Sequence, residues 1–151
     1  MIYGVQGVAE YSTVPDGYGF KIRAGFNYTI GDNLETNQPL RSVDPPKAIL
    51  AAGYHEPNDR WSAELVGTAF GRARVPDDSI LFIPSSYVRW DLLGSWLITP
   101  KIKINFGILN LFDYKQYSYA DTKYILDNGY RDMSGFSMPG RSYQAGFSLR
   151  L

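Results

Sequence analysis

Apolar and polar residues alternate along seven segments of this chain. A period of two places successive side chains on opposite faces of a β-strand, so the alternation predicts strands with one apolar and one polar face. The predicted strands cover about residues 2–13, 18–31, 47–55, 60–71, 86–98, 101–111 and 143–151. No segment repeats with the 3.6-residue period of a helix. The sequence therefore predicts an all-β fold.

The two faces of the predicted strands differ in chemistry. One face is rich in Tyr, Phe and Trp, which suit a membrane interface because one end of a Tyr or Trp ring is polar. The other face carries charged residues that suit a wet lumen: Lys21, Arg23, Glu64, Arg89, Asp91, Lys101, Lys103 and Arg150. Lipid on one side and water on the other indicate a transmembrane β-barrel, with a soluble up-and-down barrel or sandwich as the alternative.

Short and long connections take turns between the predicted strands. VPDG, EPND and TPK are tight turns, whereas GDNLETNQPLRSVDPP, RARVPDDSILFIP and the segment 112–141 are long. In an up-and-down meander, alternate connections emerge at opposite ends of the sheet. One end of the sheet therefore has only short turns and the other has only long loops. Outer-membrane barrels show the same arrangement, with short periplasmic turns and long outer loops. The sequence predicts an antiparallel meander of about seven strands within such a barrel.

The closing segment, Tyr143 to Leu151, alternates up to the last residue. A strand in a membrane barrel needs no polar tail, because one face lies in lipid and the other on water. Seven is an odd number, whereas single-chain bacterial barrels have an even number of strands. Unless a strand has been miscounted, the barrel is completed by a longer chain or by several copies of this one. The start of the chain does not resemble a signal peptide, which favours a longer chain.

Composition excludes several kinds of chemistry. The chain has no cysteine, and its formal net charge of zero gives no basic field for nucleic acid. Its one histidine, His55, accompanies no GxSxG, HExxH or paired-histidine motif, so we do not expect an enzyme. His55 lies beside a predicted inner turn, at the opposite end of the sheet from the long outer loops. Asp44, Asp77 and Asp78 fall in predicted outer loops, without the further oxygen ligands that a calcium site needs.

Four stretches resemble one protein family, and one of them, YVRWDLLGSWLITPKIKINFGILNLFD (87–113), fits a run that is usual in it. NLFDYKQY (110–117) is similar to an element near the end of TonB-dependent outer-membrane receptors, and MPGRSYQAGFSLRL (138–151) is similar to their closing signature. LRSVDPPKAILAAGY (40–54) resembles a stretch of the haem- and haemoglobin-type subgroup. The resemblance implies that residues 1–151 are the C-terminal segment of a barrel of about 22 strands, with no plug domain and no signal peptide.

The resemblance also implies a function in uptake. Receptors of this family import iron-bearing ligands across the outer membrane with energy delivered by TonB. This segment would then serve a receptor for haem or for iron from haemoproteins. The implied partners are outer-membrane lipid, the remaining barrel and plug, TonB through the missing N-terminal part, the barrel-assembly machinery and a haemoprotein. No intrinsic cofactor is implied, because haem would be the transported ligand.

Three alternatives stay open beside haem uptake. The same scaffold serves receptors for ferric siderophores. Several copies of this chain could instead assemble into a passive pore. The chain could also be a non-functional remnant of a truncated receptor gene.

Two groups of residues carry the expected recognition and assembly roles. Tyrosine offers a large, stiff contact area with a hydroxyl group, which suits contact with a protein or a porphyrin. The tyrosines of the last long connection are Tyr114, Tyr117, Tyr119, Tyr124 and Tyr130. They could instead pack against neighbouring loops and the rim. The resemblance makes the closing strand the assembly signal, through Tyr143, Phe147, Leu149 and Leu151. The family usually ends in Phe or Trp, so Leu151 weakens that signal.

Overall fold

A computed structural model describes residues 1–15, 18–40, 42–74, 85–115 and 139–149. These residues form one antiparallel sheet whose strands follow the order of the chain from β1 to β7. The strands are β1 (Ile2–Ser12), β2 (Gly19–Gly31), β3 (Lys47–His55), β4 (Trp61–Phe70), β5 (Tyr87–Thr99), β6 (Ile102–Leu109) and β7 (Ser142–Leu149). The predicted all-β meander and its seven strands are confirmed.

Strand pairing places the apolar residues of neighbouring strands side by side. In one row across the sheet, Ile22 pairs with Ala52, Ala52 with Leu65, and Leu65 with Leu92. The row continues to Ile108 and then to Tyr143 on β7. Because partners in a ladder point to the same side, these residues define one surface of the sheet, here called the apolar face.

The opposite surface, here called the polar face, carries most of the predicted charged residues. It includes the ion pairs Lys21–Glu10 and Arg23–Glu64, with N–O distances of 2.9 and 3.5 Å. Lys101 departs from the prediction, because it lies in the turn before β6 rather than on a strand face. Arg150 lies outside the described residues.

Aromatic rings cover glycines on the apolar face. Three cross-strand pairs repeat the arrangement: Gly7 with Phe26, Gly67 with Trp90, and Gly94 with Phe106. In each pair the ring occupies the space that a Cβ atom on the glycine would need. A glycine thus gives the neighbouring ring room to lie flat along the sheet.

Very little of the apolar surface is buried. Among the described residues, only Ala51 and Ala73 are buried hydrophobic residues, while Phe147 on the apolar face is 79% exposed. No second layer of strands or helices covers either face within the described ranges. The described residues therefore form a single-layered sheet, and the burial of its apolar face depends on what surrounds it. No helix in the described part of the chain is long and apolar enough to span a membrane.

Candidate functional site

The connections separate the sheet into two unlike ends. Residues 13–18, 56–60 and 100–101 link strands at one end, here called the turn end. Residues 32–46, 71–86 and 110–141 link strands at the other, here called the loop end. The predicted alternation of short and long connections is thereby confirmed. Tyr114, the one described residue among those predicted to contact a ligand, lies at the loop end.

Three stacked rings cross the loop end on the polar face. Phe70 and Tyr87 are cross-strand partners whose ring centroids lie 4.7 Å apart with an interplanar angle of 14°. Tyr114 stacks on Tyr87 at 5.5 Å, also at 14°. These three residues are here called the aromatic ladder. Offset stacking of this kind contributes about 0.5–1.5 kcal/mol per pair beyond the burial of area. The ladder therefore joins the end of β4, the start of β5 and the start of the last long connection.

Two cations flank the first ring of the aromatic ladder. The Lys47 ammonium lies 5.9 Å from the Phe70 ring centroid, and the Arg89 guanidinium lies 6.0 Å from it. Both cations also have acidic partners, since Lys47 bonds to Asp44 at 3.3 Å and Arg89 lies 3.3 Å from Asp91. Cations at this distance are attracted to the ring face. The Phe70 ring at the loop end therefore has three neighbours: the Tyr87 ring and the two cations.

The NLFD and PGR motifs meet at the foot of the last long connection. The Asn110 side-chain amide donates to the main-chain carbonyls of Tyr114 at 2.7 Å and Pro139 at 3.3 Å. Its carbonyl oxygen accepts the Tyr114 N–H at 2.9 Å. The Asp113 carboxylate accepts the Arg141 N–H at 2.7 Å. These bonds join residues that lie before and after segment 116–138, so the two feet of the connection are held together.

Local conformation suits these residues to their places. Asn110 and Asp113 both have positive φ angles, 53° and 54°, which Asn and Asp adopt more readily than other side chains. Gly140 lies against Asp113, where a Cβ atom would overlap the carboxylate. Any other residue at position 140 would have to displace the Asp113 carboxylate, so the glycine of PGR makes room for the aspartate of NLFD. The group Asn110, Asp113, Pro139, Gly140 and Arg141 is here called the loop clamp.

A buried carboxylate supports the loop clamp from below. Asp91 on β5 accepts the main-chain N–H of Asn110 at 2.8 Å. Asp91 is 7% exposed and Asn110 is 5% exposed, so both polar groups have left water. Burial of a polar group is costly unless it is hydrogen-bonded, and Asp91 has both this bond and the neighbouring Arg89. The network fixes the end of β6 against β5.

The first long connection folds back on the rim. The Leu40 N–H donates to the carbonyl of Gly31, and the Gly71 N–H donates to the carbonyl of Pro46, both at 2.8 Å. Arg74 bonds to Asp32 at 3.1 Å. Asp44 is occupied by Lys47, and the described residues contain no cluster of acidic or histidine side chains that could hold a metal ion. Asp77 and Asp78 lie outside the described residues.

His55 has a structural partner at the turn end. Its Nε2 lies 2.7 Å from the Asp59 carboxylate, which also accepts a bond from Lys103 at 3.1 Å. These hydrogen bonds from His55 and Lys103 lower the pKa of Asp59 below its ordinary value. The Tyr18 and His55 rings pack in a T-shaped arrangement, with their centroids 5.1 Å apart. Asp59 therefore joins turn 56–60 to His55 on β3 and to Lys103 on β6, at the end of the sheet opposite to the aromatic ladder.

The predicted recognition tyrosines fall mostly beyond what the structure describes. Tyr114 lies in the aromatic ladder and is 40% exposed. Tyr117, Tyr119, Tyr124 and Tyr130 lie outside the described residues. Sequence reasoning did not identify Phe70, Tyr87 or Asn110 as rim residues. The signal for Asn110 was present in the NLFD motif, but its partner Pro139 is too distant in sequence to be paired by pattern.

Three of the four predicted assembly residues lie together on β7. Tyr143, Phe147 and Leu149 occupy the apolar face of β7, paired with Ile108, Ile104 and Ile102. Their exposures are 72%, 79% and 58%. Leu151 lies outside the described residues. Among the described strands β7 pairs only with β6, and β1 pairs only with β2, so each has one free edge.

A known protein family matches most of the chain. Residues 1–111 match the family model described as TonB dependent receptor-like, beta-barrel. The probable hemoglobin and hemoglobin-haptoglobin-binding protein 4 of Haemophilus influenzae is 24% identical over an alignment of 168 residues. That alignment covers 93% of this chain and 17% of the relative.

Solved structures show the same fold. The copper transporter OprC matches with a TM-score of 0.79 and 21% identity, over 98% of this chain and 23% of OprC. A variant of the ferric enterobactin receptor of Pseudomonas aeruginosa matches with a TM-score of 0.70 and 18% identity, over 98% of this chain and 22% of that receptor. The chain therefore spans between 17% and 23% of the length of these three proteins.

Proposed function

Since this chain belongs to the TonB-dependent receptor β-barrel family, we propose that residues 1–151 are the C-terminal segment of a receptor that takes up haem or iron from haemoproteins. Members of this family are outer-membrane receptors and transporters rather than enzymes. The observation that carries the haem proposal is the alignment of 93% of this chain with a protein named for hemoglobin and haptoglobin binding. The short share of each relative that the chain covers supports its being a segment.

The proposed orientation follows from the two ends of the sheet. The loop end faces the outside of the cell and the turn end faces the periplasm, as in barrels with long outer loops. The apolar face meets outer-membrane lipid, and the polar face meets the plug and the water of the lumen. The free edges of β1 and β7 pair with the remaining strands, because an unpaired edge in lipid costs several kcal/mol for each lost hydrogen bond.

Recognition is assigned to the loop end. Tyr114 presents part of its ring to solvent beside the loop clamp, and the four tyrosines of segment 116–138 follow it in the chain. We assign ligand contact to this segment, with the aromatic ladder as its base. TonB acts through the part of the receptor that precedes this segment, and the assembly machinery reads Tyr143, Phe147, Leu149 and Leu151.

A siderophore receptor is the second candidate function. The resemblance in fold to the ferric enterobactin receptor supports it, since this sheet matches part of that receptor's structure. A passive pore made from several copies is the third, and the two free edges favour it if no longer chain exists. The aromatic ladder and loop clamp suit all three, because they organise the rim rather than select a ligand.

The experiment that tests the proposal begins with the protein in its native outer membrane. An antibody against residues 112–141 identifies its size, and a band several-fold heavier than 17 kDa is expected. The purified receptor is then titrated with haemoglobin, haem and ferric enterobactin. Saturable binding of haemoglobin or haem supports the proposal. Binding of ferric enterobactin alone would replace it with the siderophore function, and a heat-modifiable band at 17 kDa or its multiples would favour the self-assembled pore.

A further inference from the structure

The last two strands are joined by a connection too long to set their register. β6 ends at Leu109 and β7 begins at Ser142, with residues 110–141 between them. In a hairpin, a tight turn fixes which residues face each other. A long connection cannot do so, because its ends can meet in many ways. Something else must hold the observed pairs, from Leu109 with Ser142 to Ile102 with Leu149.

The alternating pattern alone does not fix this register. A slip of one residue would exchange the two faces of β7, and is opposed because its apolar side chains would then point to the polar face. A slip of two residues keeps every side chain on its own face. Ile104 pairs with Phe147, and after such a slip it would pair with Ala145 or Leu149, depending on the direction. All three partners are apolar, so the alternation cannot distinguish the observed register from a two-residue slip.

The loop clamp does distinguish these registers. The Arg141 N–H that bonds to Asp113 lies one residue before the start of β7. A slip of two residues would move it by about 6.6–6.8 Å, since a strand rises 3.3–3.4 Å per residue, and the 2.7 Å bond would be lost. The slip would also replace Gly140 beside the Asp113 carboxylate with a residue that has a side chain. Of these registers, only the observed one places both a main-chain N–H and a glycine beside the Asp113 carboxylate.

We propose that Asn110, Asp113 and Gly140 are positioning residues that set the register of β7 on β6 and hold both feet of the last long connection in place. They do for this long connection what a tight turn does for a hairpin. The consequence for ligand binding rests on the proposed function, because it assumes that segment 116–138 contacts the ligand. The consequence for register does not.

Disulfide cross-linking in the full receptor, in its native membrane, tests the register. Lys103 and Ser148 are registered partners on the polar face, as are Asn105 and Gly146. The pair Lys103→Cys with Ser148→Cys reports the observed register. The pairs Lys103→Cys with Gly146→Cys, and Asn105→Cys with Ser148→Cys, report slips of two residues in the two directions. This chain has no native cysteine that could form a competing disulfide with the introduced ones.

Each cysteine pair is combined with Asn110→Ala, Asp113→Ala or the conservative Asp113→Asn. We expect the parent and Asp113→Asn to cross-link through the registered pair only, because asparagine keeps an acceptor oxygen and tolerates a positive φ. We expect Asn110→Ala and Asp113→Ala to move part of the product to a slipped pair. An unchanged registered yield with silent slipped pairs in both alanine variants would overturn the proposal.

A milder variant covers the case in which the alanine variants do not reach the membrane. Gly140→Ala keeps every hydrogen-bonding group and adds only a methyl group against the Asp113 carboxylate. It is expected to produce slipped cross-links, and their absence would again contradict the clamp.

Ligand titration separates the clamp from the proposed function. With haemoglobin as the probe, Asp113→Ala should bind about tenfold more weakly than the parent, and Asp113→Asn should bind like the parent. If the cross-links shift but the parent binds neither haemoglobin nor haem, the proposed function fails and the clamp stands. If the parent binds haemoglobin but the cross-links do not shift, the clamp fails and the proposed function stands.

Discussion

At the scale of single residues, the close approach of Trp90 to Gly67 predicts that no larger residue fits at position 67 without cost. A Cβ atom at residue 67 would lie 2.7 Å from the Trp90 ring, so the ring would have to move. We expect Gly67→Ala to destabilise the barrel by about 1–3 kcal/mol, the usual cost of overpacking. The measurement is the temperature at which the folded band of the full receptor converts to the unfolded band in detergent electrophoresis.

Gly25→Ala is the matched control for that variant. A Cβ atom at residue 25 would have its nearest neighbours at 3.5 and 3.6 Å, which is ordinary contact. The transition temperature should therefore change little. Equal losses in the two variants would show that chain flexibility, and not the aromatic ring, decides the effect.

The carboxylate of Asp59 gives a prediction for pH dependence. Hydrogen bonds from His55 and Lys103 lower its pKa in the folded protein below 3.8, the ordinary value. A lowered carboxyl pKa stabilises the fold above the ordinary value, and this stabilisation is lost as the pH falls through the folded value. Because the side chain is 47% exposed, the contribution is below about 1 kcal/mol.

Asp59→Asn tests this assignment. Asparagine accepts the positive φ of 56° at this position but carries no charge. We expect the variant to lose a little thermal stability at neutral pH. As the pH falls below the ordinary carboxyl pKa and through the folded value, it should show a weaker further loss than the parent. Lys103→Gln should weaken the same acid dependence, since it replaces a charged donor with a neutral one. An acid dependence identical in all three proteins would contradict the role of Asp59.

At the scale of elements, the alternating pattern predicted the strands well, because a two-sided sheet imposes its period directly on the sequence. The predicted strand at 47–55 has the observed bounds of β3. The pattern did not reveal the register shift between Leu97 and Thr99, which depends on one irregular step in the backbone. It also could not pair Asn110 with Pro139, since these residues meet only when β7 has aligned with β6.

The aromatic ladder gives a prediction at this scale. Tyr114→Ala removes the ring that stacks on Tyr87 and should destabilise the rim by about 0.5–1.5 kcal/mol. Tyr114→Phe keeps the ring and should retain the stability of the parent, measured again by the transition temperature in detergent. If haemoglobin binding falls in Tyr114→Phe while stability is kept, the hydroxyl group contacts the ligand. If both variants match the parent in stability, stacking does not hold the rim.

At the scale of the whole molecule, the sheet has two exposed faces of opposite chemistry. Its few buried apolar residues could not hold a lone sheet together in water, because hydrophobic burial is the main force that offsets the entropy of folding. We therefore expect lipid to cover the apolar face and further strands to pair with the free edges of β1 and β7. The membership in a barrel family accounts for both requirements together.

Two neighbouring leucines on β5 test which face meets lipid. Leu92 pairs with Leu65 and Ile108 on the apolar face, whereas Leu93 pairs with Glu64 and Gly107 on the polar face. Leu92→Arg should cost about 2–4 kcal/mol near the middle of the bilayer and reduce the folded receptor in the outer membrane. Leu93→Arg, the same change one residue later, places its charge beside Glu64 and should be tolerated better. Quantitative immunoblots of outer-membrane fractions compare the two variants, and a greater loss for Leu93→Arg would reverse the assignment of the faces.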